Sequence, residues 1–516
     1  MIEHLEQNGR YAADEHTPTK TDLSVAIIGA GFSGIGMAIQ LKKAGIHSFT
    51  MFERASEVGG TWRDNTYPGA ACDVPSHAYS LSFEQKATWS RKFSPSNEIQ
   101  SYLLDLVDKW KLREHLRFEV EIEEARFDER SGTWTLRTED GETVTAQVVV
   151  SGVGGLVDPK LPDIPGIESF EGKTFHTARW DHEYDLQGKT VAVIGTGASA
   201  VQVVPAIAPK VKKLQVFQRT PAWVVPKFDG EYSERTKSLF ERFPLLLQLS
   251  RSFKYWMSEL FGPIVYLNSP RLSKRGEQIS IRHLHGQVKD PVLRKKLTPD
   301  FQFGCKRILI SDEYWATFER ENVELECESI LAIEAGGIRT KDGTLHEVDA
   351  IVFATGFDLG LSNAPFPIFG LEGRPLSDAW KDGAVAYKGV SVSGFPNWFI
   401  IMGPNTGPGH TSVLVFTEAQ MRHALGAIKK IRSEGLRYVD VRPDTQGHYN
   451  DKIQARMPHM AWGNCNSWYL NPDGSNYSLY PGPAFEYVAG AGHFEARDYE
   501  CVTTEAPAEA REATAA

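Results

Sequence analysis

The sequence predicts an α/β fold with two Rossmann-like dinucleotide-binding units, because it contains two glycine-rich turns in strand–turn–helix context. The first turn, residues 29–34, reads Gly-Ala-Gly-Phe-Ser-Gly and follows the apolar run at 25–28. The second, residues 195–200, reads Gly-Thr-Gly-Ala-Ser-Ala and follows the apolar run at 191–194. Glycines at such a turn let backbone N–H groups approach a pyrophosphate, and the dipole of the following helix favours its charge.

The position that selects the nucleotide differs between the two turns. Glu53 stands 24 residues after Gly29, and Arg219 stands 24 residues after Gly195. A carboxylate here accepts hydrogen bonds from ribose hydroxyls and repels a 2′-phosphate, whereas an arginine attracts one. The first turn therefore predicts a site for FAD and the second a site for NADPH. The expected contacts are Gly29, Gly31, Gly34 and Glu53 for FAD, and Gly195, Thr196, Gly197, Ala198, Ser199, Ala200, Arg219 and Thr220 for NADPH.

Length and composition divide the chain further. Its 516 residues exceed one ordinary domain. We expect loose tails at 1–20 and 503–516, because both lack a periodic apolar pattern. Between the tails we expect an FAD-binding domain made of residues 21–152 and 385–502, an NADP-binding domain made of residues 155–222 and 303–384, and a helical insertion in the NADP-binding domain at 223–302.

The expected insertion differs in charge from the rest of the chain. It carries 14 Lys or Arg and 8 Asp or Glu, a net charge of +6, whereas the whole chain carries −10. A solvated helical cap explains this composition. The alternative is a surface that steers the anionic coenzyme or touches a membrane.

Apolar runs predict further elements along the chain. Residues 134–137 and 148–150 are typical of an antiparallel stretch that closes the first unit. Residues 350–354 predict a strand of the second unit, and residues 398–402 predict a strand that returns to the first. A helix follows at 417–433.

Composition also excludes several classes of protein. The net negative charge argues against nucleic-acid binding. No apolar run reaches the roughly 18–20 residues that span a bilayer, and no secretory signal is visible. Five scattered cysteines without a C-x-x-C pair suit a reducing cytoplasm better than a disulfide framework. They also argue against a flavin disulfide reductase.

A twelve-residue motif lies between the two glycine-rich turns. Residues 170–181 read Phe-Glu-Gly-Lys-Thr-Phe-His-Thr-Ala-Arg-Trp-Asp. This F-x-G-x-x-x-H-x-x-x-W-D pattern resembles the signature of type I Baeyer–Villiger monooxygenases, and the resemblance extends over roughly residues 21–500. It implies a segment that links the two nucleotide domains and moves when the coenzyme binds. His176 and Trp180 are then hinge elements rather than proton-transfer groups.

A second stretch, residues 60–73, is similar to the segment that lies beside the flavin in that family. The resemblance implies flavin contacts for Thr61, Trp62 and Asp73, and Tyr79 is expected to join them. A helix cap or a loop carboxylate is the alternative for Asp73.

Two more stretches carry the resemblance. Residues 304–307 are similar to the segment that holds the arginine facing the flavin, which implies a catalytic role for Arg307 and coenzyme-phosphate binding by Lys306. Residues 466–469 resemble a segment whose tryptophan, here Trp468, lines the active site. The alternatives are a surface basic pair for the first stretch and a core role for the tryptophan.

The resemblance implies an NADPH-dependent flavoprotein monooxygenase whose substrates are a small hydrophobic ketone and O2. Reduced FAD and O2 give a C4a-peroxide, and its attack on the ketone yields an ester or a lactone. Arg307 is expected to stabilise the negative charge on oxygen, and Asp73 to orient the arginine. No metal is required.

Two other functions stay open at this point. One is a flavin monooxygenase that oxidises nitrogen or sulfur, and the other is a non-catalytic flavoprotein that acts as a redox-linked binding partner. The segments at 403–410 and 470–487 differ from cyclic-ketone members of the family. The sequence therefore leaves the ketone undefined, and it does not set the oligomeric state.

Overall fold

The structure, a computed structural model, describes residues 23–358, 366–464, 470 and 474–503. Its strands, numbered in chain order, are β1 Val25–Ile28, β2 Phe49–Glu53, β3 Leu116–Phe118, β4 Ile122–Asp128, β5 Thr133–Thr138, β6 Thr143–Ala146, β7 Val148–Ser151, β8 Asp158–Pro159, β9 Lys173–His176, β10 Thr190–Ile194, β11 Lys213–Phe217, β12 Val224–Val225, β13 Leu309–Ile310, β14 Val323–Glu326, β15 Ile330–Glu334, β16 Gly337–Thr340, β17 Leu345–Glu347, β18 Ala350–Phe353, β19 Phe357–Asp358, β20 Ile368–Phe369, β21 Trp398–Ile400, β22 Leu436–Val441 and β23 Tyr499–Thr503. Its α-helices are α1 Phe32–Lys43, α2 Thr61–Asp64, α3 Ser96–Lys109, α4 Ala200–Ile207, α5 Glu234–Arg242, α6 Pro244–Tyr266, α7 Pro270–Gln287, α8 Pro291–Leu297, α9 Tyr314–Thr317, α10 Leu376–Ala379, α11 Val413–Glu434, α12 Pro443–Arg456 and α13 Ala484–Ala491.

The first nucleotide-binding unit is built on a parallel sheet with the strand order β21-β7-β1-β2-β3. Val25 of β1 is in register with Phe49 on one side and Val148 on the other. β21 pairs with β7, so a strand near residue 400 completes a sheet that begins at residue 25. Helices α1 and α11 pack side by side on this sheet, where Met421 meets Gly36.

The run at 148–150 corrects one expectation from the sequence. It is not part of an antiparallel stretch, because β7 lies inside the parallel sheet between β1 and β21. All four residues of β7 are buried. Consecutive valines suit a strand that is covered on both faces, which is the usual situation in a parallel sheet. The strand expected at 134–137 is confirmed as antiparallel, within β4-β5-β6.

The second unit repeats the design of the first. Its parallel sheet has the order β14-β11-β10-β18-β9, with β10 at the centre. The strand expected near 350 is confirmed as β18, which pairs with β10 and β9. Helix α4 packs on one face of the sheet through a buried cluster that includes Val203 and Val216.

The chain between β11 and β14 carries the helices α5, α6, α7 and α8. The segment is not entirely helical, because β12 lies inside it and pairs with β13. α6 and α7 form a hairpin, and the contact of Gly276 on α7 with the ring of Phe303 holds this hairpin against the chain that leads to β13. None of the described helices has the length and apolar character needed to cross a membrane.

The cysteines depart from the expectation in one place. Cys72, Cys327 and Cys501 are free. Cys305 is fully buried and takes part in a disulfide. The preference for a chain without disulfides is therefore wrong at Cys305, because single-sequence spacing does not reveal which distant thiols meet.

Candidate active site

The first glycine-rich turn connects β1 to α1 and leaves no room for a side chain at Gly29 or Gly34. Gly29 has a φ of +93°, and a Cβ there would lie 2.7 Å from the carbonyl oxygen of Gly152. A Cβ on Gly34 would lie 1.9 Å from the carbonyl oxygen of Gly29, and one on Gly31 would meet Gly60 at 3.8 Å. No described side chain caps the N-terminus of α1. Its backbone N–H groups therefore offer an anion site in front of the turn.

Glu53 is held in place by three donors. Its Oε2 accepts a hydrogen bond from the N–H of Ala30 at 2.9 Å. Its Oε1 accepts from the N–H of Ala55 at 3.1 Å and from Nη1 of Arg63 at 2.9 Å. A carboxylate has about four acceptor positions, so one remains for a ribose hydroxyl. The side chain is buried, and its position is therefore set before a nucleotide binds.

Aromatic side chains form a wall next to this turn. The Nε1 of Trp62 donates to the hydroxyl of Tyr79 at 3.1 Å, and their rings meet edge to face. Tyr79 in turn packs edge to face on Phe32, the first residue of α1. Thr61 begins the short helix α2 that carries Trp62. The structure therefore brings Thr61, Trp62 and Tyr79 together beside the first turn.

The second glycine-rich turn connects β10 to α4. Gly195 has a φ of +119°, and a Cβ there would lie 2.4 Å from the carbonyl oxygen of Ala354. A Cβ on Gly197 would meet nothing within 4 Å, so space is open above the turn. Residues 198–199 lead into α4, which has no side-chain cap. The Oγ1 of Thr196 donates to the carbonyl oxygen of Thr220 at 2.8 Å and ties the turn to the chain after β11.

Two cations gather beside this second turn. Arg219 is exposed, two residues beyond the end of β11. Burial and the charge of Arg219 both lower the pKa of Lys306, which places these two side chains in one electrostatic neighbourhood. The Nζ of Lys306 also lies 4.7 Å from the centre of the Phe301 ring. Like charges gathered this way suit an anion with more than one negative charge.

Asp73 and Arg307 form an ion pair that joins the two units. The Nη2 of Arg307 donates to Oδ2 of Asp73, and both side chains stay partly exposed. Burial alone would raise the pKa of Asp73, but the charge and hydrogen bond of Arg307 outweigh it and lower that pKa. The carboxylate therefore stays ionised and fixes the direction of the guanidinium.

Gln202, which the sequence analysis missed, holds the loop that leads to Asp73. It lies in the first turn of α4, directly after the second glycine-rich turn. Its Oε1 accepts from the hydroxyl of Tyr67 at 2.8 Å, and its Nε2 donates to the carbonyl oxygen of Ala71 at 2.9 Å. A Cβ on Gly69 would lie 2.6 Å from the backbone oxygen of Gln202. The only sequence signal is its position one helical turn from the nucleotide site.

The loop that carries Arg307 rests on the helical segment. Gly304 has a φ of +89°, and a Cβ there would lie 2.0 Å from the carbonyl oxygen of Val265 in α6. Cys305, next in the chain, has no exposed surface. The last turn of α6 therefore supports the backbone that places Arg307.

His176 ends β9 and shapes the turn that follows. Its Nδ1 accepts a hydrogen bond from the N–H of Ala178 at 3.1 Å, and its ring packs edge to face on Phe357. Burial lowers the pKa of His176 to about 4, although a backbone contact with Gly356 opposes the shift. The ring is therefore neutral at pH 7, with its proton on Nε2.

The rest of the linker motif contacts both units. Trp180 packs edge to face on Phe175 of β9 at 4.7 Å between ring centres. Lys173 and Asp181 form a salt bridge of 2.5 Å. The Nε2 of His182 lies 2.7 Å from Oγ1 of Thr66 in the first unit. The linker thus connects the edge strand β9 of the second sheet to the segment that leads to Asp73.

A cavity of about 1070 Å³ lies along the seam between the two units. Arg63 and Tyr67 line it from the first unit, Gln202 from the second, and His182 from the linker. Trp468 lies outside the described residues. Among the residues that the structure does describe, no group of three or more His, Cys, Asp or Glu side chains is arranged to hold a metal ion.

Comparison with known sequences places this chain near named enzymes. Residues 26–242, which include both glycine-rich turns, match the family described as pyridine nucleotide-disulphide oxidoreductase. The chain is 45% identical to a Baeyer-Villiger monooxygenase of Pseudomonas aeruginosa over 496 residues, which are 95% of this chain and 93% of the relative. It is 42% identical to a Baeyer-Villiger monooxygenase of Streptomyces coelicolor over 498 residues, 96% of this chain and 95% of the relative.

Solved structures match the whole fold. Cyclohexanone monooxygenase from Rhodococcus sp. Phi1 bound to NADP+ superposes with a TM-score of 0.84 at 28% identity, over 94% of this chain and 100% of the other. The OTEMO complex with FAD and NADP superposes with a TM-score of 0.84 at 29% identity, over the same shares of the two chains.

Proposed function

The chain belongs to the Baeyer–Villiger monooxygenase family, and we propose that it inserts one atom of O2 next to the carbonyl of a small hydrophobic ketone to give an ester or a lactone, with FAD and NADPH as cofactors. One observation of the structure carries this proposal. The Arg307–Asp73 ion pair joins the two nucleotide units and presents a fixed cation at their seam.

The first unit suits FAD. The glycine turn at 29–34 leaves an uncapped helix end for the pyrophosphate, and Glu53 keeps one acceptor position for the ribose. Trp62 and Tyr79 would flank the cofactor, with Thr61 at the start of the same short helix and Asp73 close enough for its charge to act on the pKa of Tyr79. When bound, FAD that NADPH has reduced supplies the reaction with O2.

The second unit suits NADPH. The uncapped start of α4 and the open space over Gly197 would receive the pyrophosphate, with residues 195–200 along it. Arg219 and Lys306 would hold the 2′-phosphate between them, because one phosphate relieves the repulsion of two neighbouring cations. The hydrogen bond from Oγ1 of Thr196 to the carbonyl oxygen of Thr220 would keep Thr220 in place beside the coenzyme.

Arg307 supplies the positive charge that the reaction needs. Negative charge builds up on oxygen during attack on the ketone, and a preorganised cation in a dry site stabilises it strongly. Asp73 is ionised and hydrogen-bonded to Arg307, so it holds the guanidinium in one orientation without taking its proton. Asp73 is thus a partner of the cation, and the resemblance implies that Trp468 lines the same site.

An arginine variant tests the proposal directly. Arg307→Ala should bind FAD and keep most of its NADPH affinity, because Lys306 and Arg219 remain. Ester formation should fall by about two to three decades, the usual effect of removing one preorganised charge. NADPH should still be consumed, with hydrogen peroxide as the product. The measurement is NADPH absorbance together with product analysis over a cyclic ketone, an aryl ketone and a thioether.

Arg307→Lys is the matched control, because it keeps the charge and loses the planar fork that Asp73 orients. It should fall between the wild type and Arg307→Ala. Ester formation by Arg307→Ala near the wild-type rate would contradict the assignment. Sulfoxide without ester in the wild type would favour heteroatom oxidation, which the names of the two bacterial relatives described above do not support.

We also propose that the linker couples coenzyme binding to closure of the site. His176 fixes the turn at Ala178, and His182 contacts Thr66, so movement of the second unit reaches the segment before Asp73. His176→Ala should retain FAD but release more hydrogen peroxide per NADPH, because an open site admits water. His285→Ala, at an exposed histidine of α7, is the control. Fully coupled turnover in His176→Ala would limit the motif to a structural role.

The division of the chain follows from the two sheets. We propose an FAD-binding domain of residues 21–152 and 385–502 and an NADP-binding domain of residues 155–222 and 303–384, with 223–302 inserted in the latter. The pairing of β21 with β7, and of β18 with β10, supports this division. The boundary at 385 needs correction, because β20 pairs with β4 and Trp380 packs in the core of the first unit, so the chain returns to that unit before residue 385. We propose the cytoplasm as its compartment, because NADPH is available there and three of the four described cysteines are free, with Cys305 in a disulfide as the exception.

A further inference from the structure

Helix α6 presents apolar side chains to solvent. Leu245, Leu249, Phe253, Trp256 and Leu260 recur every three or four residues and so lie along one face. Their exposed fractions are 66%, 56%, 67%, 57% and 70%. A helix on the surface of a folded protein normally directs such a stripe to the core. This one is turned the other way.

The opposite face of α6 is polar and packs on the protein. Arg251 donates from Nη1 to the carbonyl oxygens of His77 at 3.0 Å and Ser80 at 2.6 Å. Arg251 also lies 3.6 Å from the buried carboxylate of Glu418 in α11. Farther along, Glu259 accepts a hydrogen bond from the N–H of Ala484 at 3.1 Å. These contacts fix the rotation of the helix, so the apolar stripe cannot turn inward.

The apolar surface extends beyond α6. The ring of Phe485 in α13 lies 6.1 Å from that of Trp256. Because a large aromatic side chain presents about 150–250 Å², the whole surface exposes on the order of 1,000 Å². The largest apolar patch of a typical monomer is about 300–600 Å². The ten residues of this surface, here called the α6 surface, are Leu239, Phe243, Leu245, Leu246, Leu249, Phe253, Trp256, Leu260, Phe261 and Phe485.

Charge surrounds the α6 surface but does not enter its centre. Every exposed residue of α6 is uncharged. Exposed basic residues lie at both ends of the helix: Arg235 and Arg242 on α5 before it, and Arg271, Lys274 and Arg275 at the start of α7 after it. α5 also exposes Glu234 and Glu241, so the excess of positive charge is larger at the α7 end. An apolar face between basic residues is the arrangement of proteins that bind in the plane of a membrane interface.

The distribution of charge distinguishes between possible occupants. Residues 223–302 carry a net charge of +6 in a chain of −10, so the rest of the chain is strongly negative. A second copy would bring two positive segments together. An anionic bilayer attracts this segment and repels the remainder, which orients the α6 surface towards the lipid.

We propose that the α6 surface docks on an anionic lipid bilayer, with α6 lying parallel to it at the depth of the headgroups. Trp256 and Phe253 would enter the boundary between headgroups and acyl chains, and the basic residues at the helix ends would contact the lipid phosphates. The proposal does not depend on the reaction, because none of these residues belongs to the cofactor sites, the Arg307–Asp73 pair or the cavity described above.

Co-sedimentation of the FAD-loaded enzyme with vesicles tests the proposal. The enzyme should bind vesicles of phosphatidylglycerol and phosphatidylcholine at least about tenfold more tightly than vesicles of phosphatidylcholine alone, and added salt should weaken the binding. The double variant Phe253→Ser/Trp256→Ser should lose at least about tenfold in affinity for the anionic vesicles. Its flavin content and its activity on a dissolved ketone should not change.

The control is Leu161→Ser/Leu331→Ser, which removes two exposed leucines far from α6 and should bind vesicles like the wild type. Failure of the wild-type enzyme to sediment with anionic vesicles would overturn the proposal. So would a double variant that binds like the wild type. A dimer in analytical ultracentrifugation that Phe253→Ser/Trp256→Ser dissociates would assign the α6 surface to a second copy instead.

Discussion

Glu53 and Arg219 stand at equivalent positions after two similar turns, but their surroundings differ. Glu53 is buried and receives three hydrogen bonds from its own unit. Arg219 is exposed, and it forms no ion pair with any residue that the structure describes. The first site is therefore organised before its ligand arrives, whereas the second completes its contacts only when a phosphate binds.

This difference fits the two tasks proposed for the sites. A cofactor that stays through many reaction cycles gains from a pocket whose polar groups are already fixed, because binding then costs little ordering. A coenzyme that must enter and leave gains most from flexible cations at the surface. The two sites use the same strand–turn–helix unit. They differ in the side chain that reads the nucleotide, which is buried in the first site, as Glu53, and exposed in the second, as Arg219.

The largest expected effect is at Glu53. In Glu53→Ala the N–H groups of Ala30 and Ala55 lose their acceptor, and Arg63 keeps only Asp64 as a carboxylate partner. Each buried donor left unpaired costs about 1–3 kcal/mol. The variant should be purified with little FAD and should melt at a lower temperature. Glu114→Ala removes an exposed partner of Lys42 and should change neither property. Full flavin occupancy in Glu53→Ala would show that the buried contacts of Glu53 do not organise the FAD site.

The next effect is at Arg219. A charge-assisted contact with phosphate contributes about 1.5–3 kcal/mol, so Arg219→Ala should weaken NADPH binding by roughly ten- to a hundredfold. NADH binding should change little, and flavin content should stay at the wild-type level. Lys210→Ala, at the far end of α4, is the control. Equal losses for both coenzymes, measured by fluorescence titration, would show that Arg219 does not read the 2′-phosphate.

Buried titratable groups should make the stability of both units depend on pH. His77 and His423 belong to the first unit, and burial lowers the pKa of each to about 3. His176 belongs to the second, with a pKa of about 4. The unfolded chain takes up protons on these histidines near pH 6.5 and the folded chain does not, so the histidines lower the stability as the pH drops below 6.5. Asp440 of the first unit acts in the opposite sense, because burial raises its pKa to about 7 and the folded state therefore takes up its proton first. Each fully buried histidine contributes about 1.4 kcal/mol per pH unit.

His423→Gln tests this pH dependence. The ring of His423 lies between Ala491 O and Tyr499 OH, so the variant should be less stable at pH 7. Its unfolding free energy should fall less steeply between pH 6.5 and 5 than that of the wild type, as measured by urea titration. Parallel slopes for the two proteins would show that His423 does not stay neutral in the folded state.

The smallest effect is expected at Gln202, which joins the two sites. Gln202→Leu removes the contacts with Tyr67 and Ala71, and a net loss of about 1 kcal/mol corresponds to roughly fivefold slower ester formation. The affinity for NADPH should stay close to that of the wild type, because Arg219 and Lys306 are unchanged. Gln202→Glu keeps the acceptor for Tyr67 and should recover part of the rate. A loss of NADPH affinity without a change in kcat would assign Gln202 to the coenzyme site alone.

Local patterns explain why much of the fold was predictable. A strand, a glycine turn and a helix are encoded within about 25 residues, so both units and their nucleotide readers follow from short stretches of sequence. The role of Gln202 was not predicted, because its hydrogen-bond partners lie more than 130 residues away in the chain. The exposure of the apolar face of α6 was not predicted for a similar reason. Periodicity predicts a helix, but only the carbonyl groups of the 77–80 loop decide that Arg251 faces inward.

The strand order of the first sheet has a consequence for synthesis of the chain. All five strands of the second sheet lie between residues 173 and 353, so they have left the ribosome before β21 is made. The first sheet cannot close until residue 400 emerges, and until then β7 is an edge strand of consecutive valines. Such an edge invites pairing with other chains. Nascent chains stalled before β21 should therefore depend on chaperones. FAD should bind only late in synthesis, after β21 has completed the first sheet.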